Sequence, residues 1–363
     1  MFSVLSYNQR RKLEGETALD KIAIVDLGSS KIDLVLANVT PEGNFAVFQE
    51  MTETVKIVND FDGEGLLRIA RSNEALTILR MYKMVCDVNR VQNIIAVCSH
   101  NIKNLKNYRS FLDEIYNSCG FKFKIMTEEE ELGALYTGVV NSIDVPKGVI
   151  FNVSGGSTKI VQYNRRNILN EVIIPFGSYT LAKIMEEEKN PEKACEKMAE
   201  DFKKELQKIE WLGNIEPEFS CVGVGGAAIG VQLLSRKLKK YPLDSAHNYV
   251  MSSKDVTDVY NLVKTLDIDK TKKIKGISAD RSDVFASGIC MVKAIFDAFN
   301  FENITISTKG MKEGIIYSSV VPGTNEKPIS DLLGFSLDNI KTFYDGEYSN
   351  STQVGDLALI LFR

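Results

Sequence analysis

Residues 148–164 read GVIFNVSGGSTKIVQYN, and this stretch predicts the fold of the chain. The apolar run 149–151 is typical of a buried strand, and residues 159–163 are typical of a second, amphipathic strand. The Ser-Gly-Gly-Ser-Thr segment between them predicts a sharp turn, because glycine lets the backbone bend and approach a ligand closely. Successive backbone N–H groups and hydroxyls in such a turn form a concavity that binds anions. The stretch therefore predicts a hairpin with a phosphate-binding loop.

A second stretch, residues 25–38, carries the same pattern as VDLGSSKIDLVLAN. A short Gly-Ser-Ser segment again stands between two apolar, strand-like runs. The overlay of the two stretches places Asp26 on Asn152, Ser29 on Gly155, Asp33 on Lys159 and Asn38 on Asn164. Two hairpins of one design, far apart in sequence, predict two related domains that each offer a phosphate loop to a shared cleft.

The composition is that of a globular protein of about two domains, with 363 residues, 44% hydrophobic and 25% charged. The net charge of −4 gives no support to nucleic acid as the main partner. The six cysteines form no CxxC motif and no His/Cys cluster, which favours reduced thiols over disulfides or zinc. The N-terminal segment lacks the apolar core of a signal peptide, and no apolar run approaches the length of a membrane span. These features predict a cytoplasmic protein without a membrane partner.

Strand-like and helix-like segments alternate along the chain, and each half begins with a hairpin. This order predicts an α/β fold in which mixed sheets are flanked by helices. Thr127 stands before four consecutive glutamates, residues 128–131. Thr127 and Glu130 match a capping box, and carboxylates in the first turn suit the positive end of the helix dipole. The acidic run is therefore explained by helix capping before any catalytic role is considered.

Several motifs, taken together and in order, resemble the exopolyphosphatase / guanosine-pentaphosphate phosphatase family (Ppx/GppA). The resemblance covers about residues 20–320, and it implies two actin-like (ribonuclease H-like) domains with mixed sheets, flanking helices and an interdomain cleft. The motifs are IVDLGSSKIDLVL (24–36), VCSHNIKNLKN (97–107), IMTEEEELGALYTGV (125–139), FNVSGGSTKIV (151–161), CVGVGGAAIG (221–230) and ISTKGMKEGIIY (306–317).

The resemblance also implies a division of the chain. Residues 1–127 and about 310–320 are expected to form domain I, and residues 128–309 domain II. Residues 321–363 are expected to be a linker and the truncated start of a helical HD-like region. An apolar face in that tail, formed by Val354, Leu357 and Leu361, would need another surface to bury against.

In the family, phosphoanhydride hydrolysis uses a glutamate to position or deprotonate water, loop amides to hold phosphates, and a divalent cation. By resemblance the paired glutamates fall on Glu130 and Glu131, with Glu130 as the expected base, and Mg²⁺ would be bound by Asp26 and Glu130. The residues expected to bind phosphate are Gly28, Ser29, Ser30, Ser99, Lys103, Gly155, Gly156, Ser157, Thr158, Lys159, Gly225 and Gly226.

This sequence departs from the family pattern at several of these positions. Asn152 stands where the family has Asp, and Lys159 stands where it has Glu, which should weaken a Mg²⁺ site because hard cations require anionic oxygen ligands. Asp33 replaces the Arg of the first loop, so the charges at the equivalent positions 33 and 159 are exchanged. We therefore predict an Asp33–Lys159 ion pair, or Lys159 as a direct phosphate ligand in place of metal. The alternative is that both side chains are solvated at the strand edges. The further departures are Ser30 for Asn, Lys103 for Arg and Thr180 for Arg.

Two functional hypotheses remain open at this point. The first is a hydrolase that removes the terminal phosphate of polyphosphate or guanosine pentaphosphate. The second is a catalytically weak or inactive homologue that binds a polyphosphate or nucleotide ligand as a sensor. Dimerisation is common in the resembled family, so a homodimer is an expectation from the resemblance. A lone histidine such as His247 predicts a structural hydrogen bond rather than a base. Arg281 and Asp283 are expected to fix a helix.

Overall fold

The computed structural model describes residues 19–61, 64–164, 167–188, 190–275, 277, 282–324, 328–344 and 351–362. Within them the chain forms two mixed sheets, and helices cover both faces of each sheet. The predicted α/β architecture with mixed sheets is therefore confirmed.

The predicted role of Arg281 concerns a residue outside the described part of the chain. None of the described helices combines the length and the apolar character needed to cross a bilayer.

Sheet 1 has the strand order β3-β2-β1-β4-β5. The hairpins β1–β2 and β2–β3 are antiparallel, whereas β4 and β5 join in parallel. The elements are β1 Asp20–Leu27, β2 Lys31–Val39, β3 Phe45–Thr54, β4 Asn93–Cys98 and β5 Lys124–Ile125, with helices α1 Ile69–Val88 and α2 Tyr108–Cys119 and 3₁₀ turns Ile57–Asp60 and His100–Asn104.

Sheet 2 has the order β10-β11-β9-β6-β7-β8, so its hairpin β6–β7 is flanked by the parallel strand β9 and the antiparallel strand β8. Its elements are α3 Glu128–Val140, β6 Lys147–Val153, β7 Thr158–Asn164, β8 Asn167–Ile174, α4 Ser178–Glu187, α5 Pro191–Gln207, the 3₁₀ turn Glu210–Asn214, β9 Ser220–Val224, α6 Gly225–Lys239, β10 Tyr249–Ser252, α7 Ser253–Val263, α8 Ile268–Lys272, α9 Ser282–Phe299 and β11 Asn303–Ser307.

Alternate residues of the central strands pack into different cores. On β1, Val25 faces the cluster that includes α1 and α2, whereas Ile24 faces Ile316 of helix α10, Met311–Val320. On β6, Phe151 faces the cluster around α9, whereas Ile150 faces α3. Each strand is thus buried on both faces, which explains why its sequence is a near-continuous apolar run. The predicted domain boundaries stay a prediction, but α3 packs on sheet 2 and α10 packs on sheet 1.

The two sheets are joined where α3 crosses α10, and glycines form this crossing. A Cβ atom on Gly138 would overlap the carbonyl oxygen of Gly310, and one on Gly314 would overlap the carbonyl oxygen of Ala134. The helix backbones therefore approach as closely as only glycine permits. Because both clashes would be with backbone atoms, a rotamer change in a neighbouring side chain could not relieve them.

The tail continues with α11, Leu332–Tyr344, and α12, Ser351–Leu361. Helix α11 docks on the edge of sheet 1, where Asn339 Oδ1 accepts a hydrogen bond from the Phe45 amide at 3.0 Å. On α12, Val354, Leu357 and Leu361 are 62%, 52% and 82% exposed. The apolar face expected from the sequence is therefore present and is not covered by the described part of the chain.

The glycine crossing predicts opposite outcomes for two substitutions on one helix. Gly138→Ala should destabilise the protein by about 1–3 kcal/mol, because the added methyl meets backbone atoms. Gly133→Ala should stabilise it by about 0.5–1 kcal/mol, because alanine is the better helix former and no atom lies within 4 Å of the new Cβ. Urea unfolding of the two variants measures both changes, and equal shifts in midpoint would contradict the prediction.

Candidate functional site

The two hairpins named in the sequence have the same geometry. Loop 1, residues 28–31, is closed by a hydrogen bond from the Gly28 amide to the Lys31 carbonyl at 3.0 Å. Loop 2, residues 154–157, is closed in the same way between Ser154 and Ser157 at 2.9 Å. The residues flanking the loops are direct cross-strand partners, Asp26 with Asp33 and Asn152 with Lys159. The sequence overlay therefore matches equivalent structural positions.

The two loops also touch each other. A Cβ atom on Gly155 would lie 2.7 Å from the Ser30 side chain, and one on Gly156 would lie 3.2 Å from Ser29 Oγ. Glycine is needed at position 155 because the partner loop occupies the space of a side chain. The amides of Ser29, Ser30, Gly155 and Gly156 donate no hydrogen bond within the described residues. The meeting point thus offers four backbone donors to an anion.

Glu131 lies in the first turn of α3 and is fully buried. Its Oε1 accepts a hydrogen bond from the His100 amide at 2.7 Å and lies 2.9 Å from His100 Nδ1. Its Oε2 lies 2.9 Å from Lys159 Nζ. Burial opposes ionisation of this carboxyl, but the hydrogen bonds from His100 and the charge of Lys159 lower its pKa to about 2. Glu131 is therefore an ionised carboxylate that bridges the end of β4 and the β7 hairpin.

Glu130, the residue first chosen as the base, makes different contacts. Its amide and carboxylate complete the predicted capping box with Thr127, and its carboxylate also pairs with Lys124. It lines a separate cavity of about 490 Å³, together with Val97 and Ile315. The structure thus gives the paired glutamates different surroundings, and the choice of Glu130 as the base stays a prediction. Glu130 caps the helix, and Glu131 is the carboxylate held against the hairpins.

The predicted ion pair between Asp33 and Lys159 is wrong, and so is the solvated alternative. Both side chains are buried, and each has found a partner on the helix that packs on its own sheet. Lys159 pairs with Glu131 of α3, whereas Asp33 lies 3.4 Å from Lys312 of α10 and 3.1 Å from Lys31. Burial raises the pKa of Asp33, yet the two lysines and a hydrogen bond from the Thr52 hydroxyl hold it below the ordinary value.

Asp26 is the least satisfied carboxyl of the site. It is 8% exposed, and its Oδ1 has no hydrogen-bond partner among the described residues. Burial, reinforced by the charges of Asp33 and Glu131, raises the pKa of Asp26 to about 7, although Lys31 and Lys312 act in the opposite direction. This carboxyl therefore exchanges a proton near neutral pH, in contrast to Glu131.

The remaining expected phosphate ligands fall into three groups. Some lie at the loops: buried Ser157 accepts a hydrogen bond from Asn101 Nδ2 at 3.4 Å, and Gly225 begins α6 directly beside Asn152 Oδ1. Others have structural partners or point outward: the Thr158 hydroxyl donates to the Phe176 carbonyl at 2.8 Å, and Lys103 is exposed. The third group has no side-chain contact that argues for or against phosphate binding: Gly28 lies in loop 1, Ser99 at the end of β4, and Gly226 in the first turn of α6. Their role stays a prediction.

His100 has no acidic residue near it in the sequence. The structure brings two glutamates of α3 to it, and its Nε2 lies 3.4 Å from Glu128 Oε1. His247, in contrast, has the structural role predicted for it. Its Nε2 donates to the Ser142 carbonyl at 3.1 Å, and its Nδ1 accepts from the Thr308 amide at 3.2 Å.

The residues present do not fit the Mg²⁺ site that the resemblance implies. Glu130 is used by the helix cap, Glu131 is already paired with an ammonium group, and position 152 carries an amide. Among the described residues no three metal-ligating side chains form a group. Asp26 alone remains, and a hard cation prefers several anionic oxygens. The site provides its positive charge through Lys159.

The donor set predicts how the protein responds to Mg²⁺. The melting temperature of the wild type should not change with Mg²⁺. Lys159→Glu should lower the melting temperature, and Mg²⁺ should restore part of this loss in the variant, because a bound ligand stabilises the folded state. Lys147→Glu, at the exposed Lys147–Glu218 pair near the start of the same hairpin, is the matched control and should not respond. Thermal unfolding with Mg²⁺ and with chelator measures this. Stabilisation of the wild type by Mg²⁺ would contradict it.

The pKa of Asp26 predicts a pH-dependent gain for Asp26→Asn. The folded-state value of about 7 exceeds the unfolded value of about 4, so the wild type loses stability as pH rises between these values, by up to ~4 kcal/mol. The uncharged variant escapes this loss. Its melting temperature should therefore exceed that of the wild type by more at pH 8 than at pH 5.

The matched control is Asp20→Asn, at the exposed start of the same strand. This substitution should have a small effect at both pH values, because its side chain is in water. A gain for Asp26→Asn that is the same at pH 5 and pH 8 would show that burial does not shift this carboxyl.

Curated proteins similar to this chain carry phosphatase names. The chain is 23% identical over 316 residues to the bifunctional 3-dehydroquinate synthase/phosphatase of Fusobacterium nucleatum, covering 82% of the chain but 46% of that protein. It is 21% identical to a putative exopolyphosphatase of Haemophilus influenzae (82% and 91% covered). It is 22% identical to the guanosine-5'-triphosphate,3'-diphosphate pyrophosphatase of Aeromonas salmonicida (94% and 67% covered). The chain thus spans about half the length of the first of these relatives.

Solved structures share the fold. A Ppx/GppA family member from Aquifex aeolicus superposes with a TM-score of 0.70 at 22% identity, over 84% of this chain and 98% of that one. An exopolyphosphatase from Cytophaga hutchinsonii superposes with a TM-score of 0.75 at 17% identity, over 83% and 98%. The expected two-domain actin-like fold is thereby confirmed. Since the model of the Ppx/GppA phosphatase family matches residues 35–321, most of the chain, this protein belongs to that family.

Proposed function

We propose that the chain binds the terminal phosphate of inorganic polyphosphate or guanosine pentaphosphate between loops 1 and 2 and hydrolyses its terminal phosphoanhydride bond. Family membership and the names of the relatives support this reaction class. The observation that carries the proposal is the contact between the two loops, whose four amides donate no hydrogen bond within the described residues. The strands that flank the loops carry buried Asp26 and Lys159, and Lys159 pairs with Glu131. Phosphoryl transfer needs positioning and electrostatic stabilisation more than covalent chemistry, and these groups supply both.

Lys159 is the proposed charge donor to phosphate. Its side chain is almost entirely buried, and the residue lies on β7 two positions after loop 2. A cation in a site screened from water stabilises a phosphate more strongly than a solvated one. Its pairing with Glu131 keeps the ammonium in place before the ligand arrives.

The two carboxyls have different proposed roles because their pKa values lie far apart. Asp26, with a pKa of about 7 and an unpartnered Oδ1, accepts the proton of the attacking water as its oxygen bonds to the terminal phosphorus. The bond to the bridging oxygen breaks, and the shortened ligand leaves with that oxygen. Glu131 stays ionised and positions Lys159 and His100. Turnover should therefore increase as the pH rises through about 7.

A sensor without turnover is the second candidate, and one observation favours it. Glu131 is already paired with His100 at Oε1 and with the Lys159 ammonium 2.9 Å from Oε2, although Oε2 makes no aligned hydrogen bond within the described residues. A carboxylate paired with these protein groups is less available to orient a water molecule. A protein of this kind would bind the phosphorylated ligand and respond through the relative position of its two sheets.

Substitution of the paired glutamates tests the proposal directly. Phosphate release is measured from long-chain polyphosphate and from guanosine pentaphosphate, with Mg²⁺ and with chelator. Glu131→Gln should reduce turnover by roughly 100-fold or more, because Lys159 and His100 lose the charge that positions them. Glu130→Gln is the matched control, and should retain turnover while costing about 1 kcal/mol of stability through the weakened cap.

The outcomes separate the candidates. Equal loss of turnover in both variants would contradict the assignment to Glu131. Absence of turnover in the wild type, with binding of either ligand still measurable by calorimetry, would replace the hydrolase with the sensor. Absence of both turnover and binding would overturn the proposed function.

A further inference from the structure

Residues 55–60, which we call the clasp segment, follow strand β3 and are hydrogen-bonded to loop 1. The amides of Val55 and Lys56 both donate to the Ser30 carbonyl at 3.0 Å, and the Val58 amide donates to the Ser29 carbonyl at 2.6 Å. Lys56 itself has a φ of 50°, a left-handed conformation that a lysine adopts only when its surroundings impose it.

A buried ion pair holds this conformation. Asp60 is 3% exposed and lies 3.0 Å from Arg71 Nε, and the same guanidinium donates hydrogen bonds to the carbonyls of Val55 and Lys56. The backbone of the clasp segment is therefore fixed from below by α1. The side chains of Lys56 and Val58 make their contacts on the opposite side.

Those side chains reach across to sheet 2. Lys56 Nζ lies 2.6 Å from Asp283 Oδ2, in the first turn of α9, and 5.5 Å from the ring centre of Tyr179 in α4. Val58 packs against Tyr179, Ala182 and Val284. The start of α4 is in turn bound to loop 2, because the Tyr179 amide donates to the Gly155 carbonyl at 2.9 Å. The clasp segment therefore covers the place where the two phosphate loops meet.

The Lys56–Asp283 pair is open to exchange. The two side chains are 24% and 37% exposed, and Asp283 Oδ1 has no hydrogen-bond partner within the described residues. Asp283 also lies at a helix N-terminus, which keeps its charge stabilised without Lys56. This partly exposed pair is in contact with solvent, so a phosphate group can reach the Lys56 ammonium and replace Asp283.

We propose that Lys56 is a further binding residue for the phosphate chain, and that Asp283 takes the place of that anion in the ligand-free protein. The inference rests on the proposed function, since it concerns the ligand of the same cleft. A phosphate of the ligand displaces Asp283 from the Lys56 ammonium, which then joins the amides of loops 1 and 2. Asp283 thus competes with the ligand while it holds the cleft closed.

Two substitutions in the pair have opposite expected effects on affinity and the same effect on closure. The probe is inorganic tripolyphosphate, titrated by calorimetry. Asp283→Asn should bind it several-fold more tightly, because the competing anion is gone, and Lys56→Gln should bind it about tenfold more weakly, because a charge-assisted contact is lost. Both ligand-free variants should be more open than the wild type by small-angle X-ray scattering.

Two controls come from α9, the helix that carries Asp283, and a third substitutes Lys56 itself. Lys293→Gln and Asp297→Asn break a surface pair at the other end of α9 and should change neither affinity nor scattering. Lys56→Arg keeps the positive charge and should retain most of the affinity, which separates the charge from any effect on folding.

Each outcome is decisive. Unchanged affinity of Lys56→Gln, with normal binding by the wild type, would overturn this inference alone. Weaker binding by Asp283→Asn would show that Asp283 assists the ligand instead of competing with it, and would also overturn it. Failure of the wild type to bind tripolyphosphate, polyphosphate and guanosine pentaphosphate would overturn the proposed function and this inference together.

Discussion

The buried carboxylate of Glu131 is the interaction on which the rest of the site depends. It lies on α3, which packs on sheet 2, yet two of its hydrogen bonds come from His100 at the end of β4 in sheet 1. Its third contact is Lys159 in the hairpin of sheet 2. Removing one member of such a buried pair leaves an uncompensated charge that costs about 3–5 kcal/mol. The end of β4 in sheet 1 and the β6–β7 hairpin of sheet 2 are therefore held in position by a single ionised group between them.

Much of the fold was predictable from the sequence because its signals are local. The equivalence of the hairpins follows from glycine and strand patterns, and the capping box of Thr127 and Glu130 follows from spacing alone. The choice between Glu130 and Glu131 did not follow from these signals. Neighbouring residues of a helix point about 100° apart, so one of the two faces the cap and the other faces the interior. Which glutamate points inward depends on how α3 packs on sheet 2, and that is a tertiary property.

The wrong prediction for Asp33 and Lys159 has a similar origin. Equivalent positions on related hairpins suggested that opposite charges would meet across the cleft. Instead each hairpin residue pairs with the helix on its own sheet, Asp33 with Lys312 of α10 and Lys159 with Glu131 of α3. Each of the two exchanged charges is thus neutralised by a partner on its own sheet. Sequence overlay reveals which positions correspond, but it does not reveal which helix lies above each of them. The contacts of His100 were not predictable for the same reason, since its acidic partners Glu128 and Glu131 follow it by about thirty residues.

The exchanged charges also place the cation and the titrating carboxyl of the candidate site on different sheets. The buried cation next to loop 2 belongs to sheet 2, whereas Asp26, the carboxyl that exchanges a proton near pH 7, belongs to sheet 1. A phosphate held mainly by Lys159 meets Asp26 only when the loops are in contact, as they are here. Under the proposed function, contact between the loops would therefore determine whether the bond of the ligand is broken. In a site with a resident metal ion the cation could serve both halves at once, but a lysine is attached to one of them.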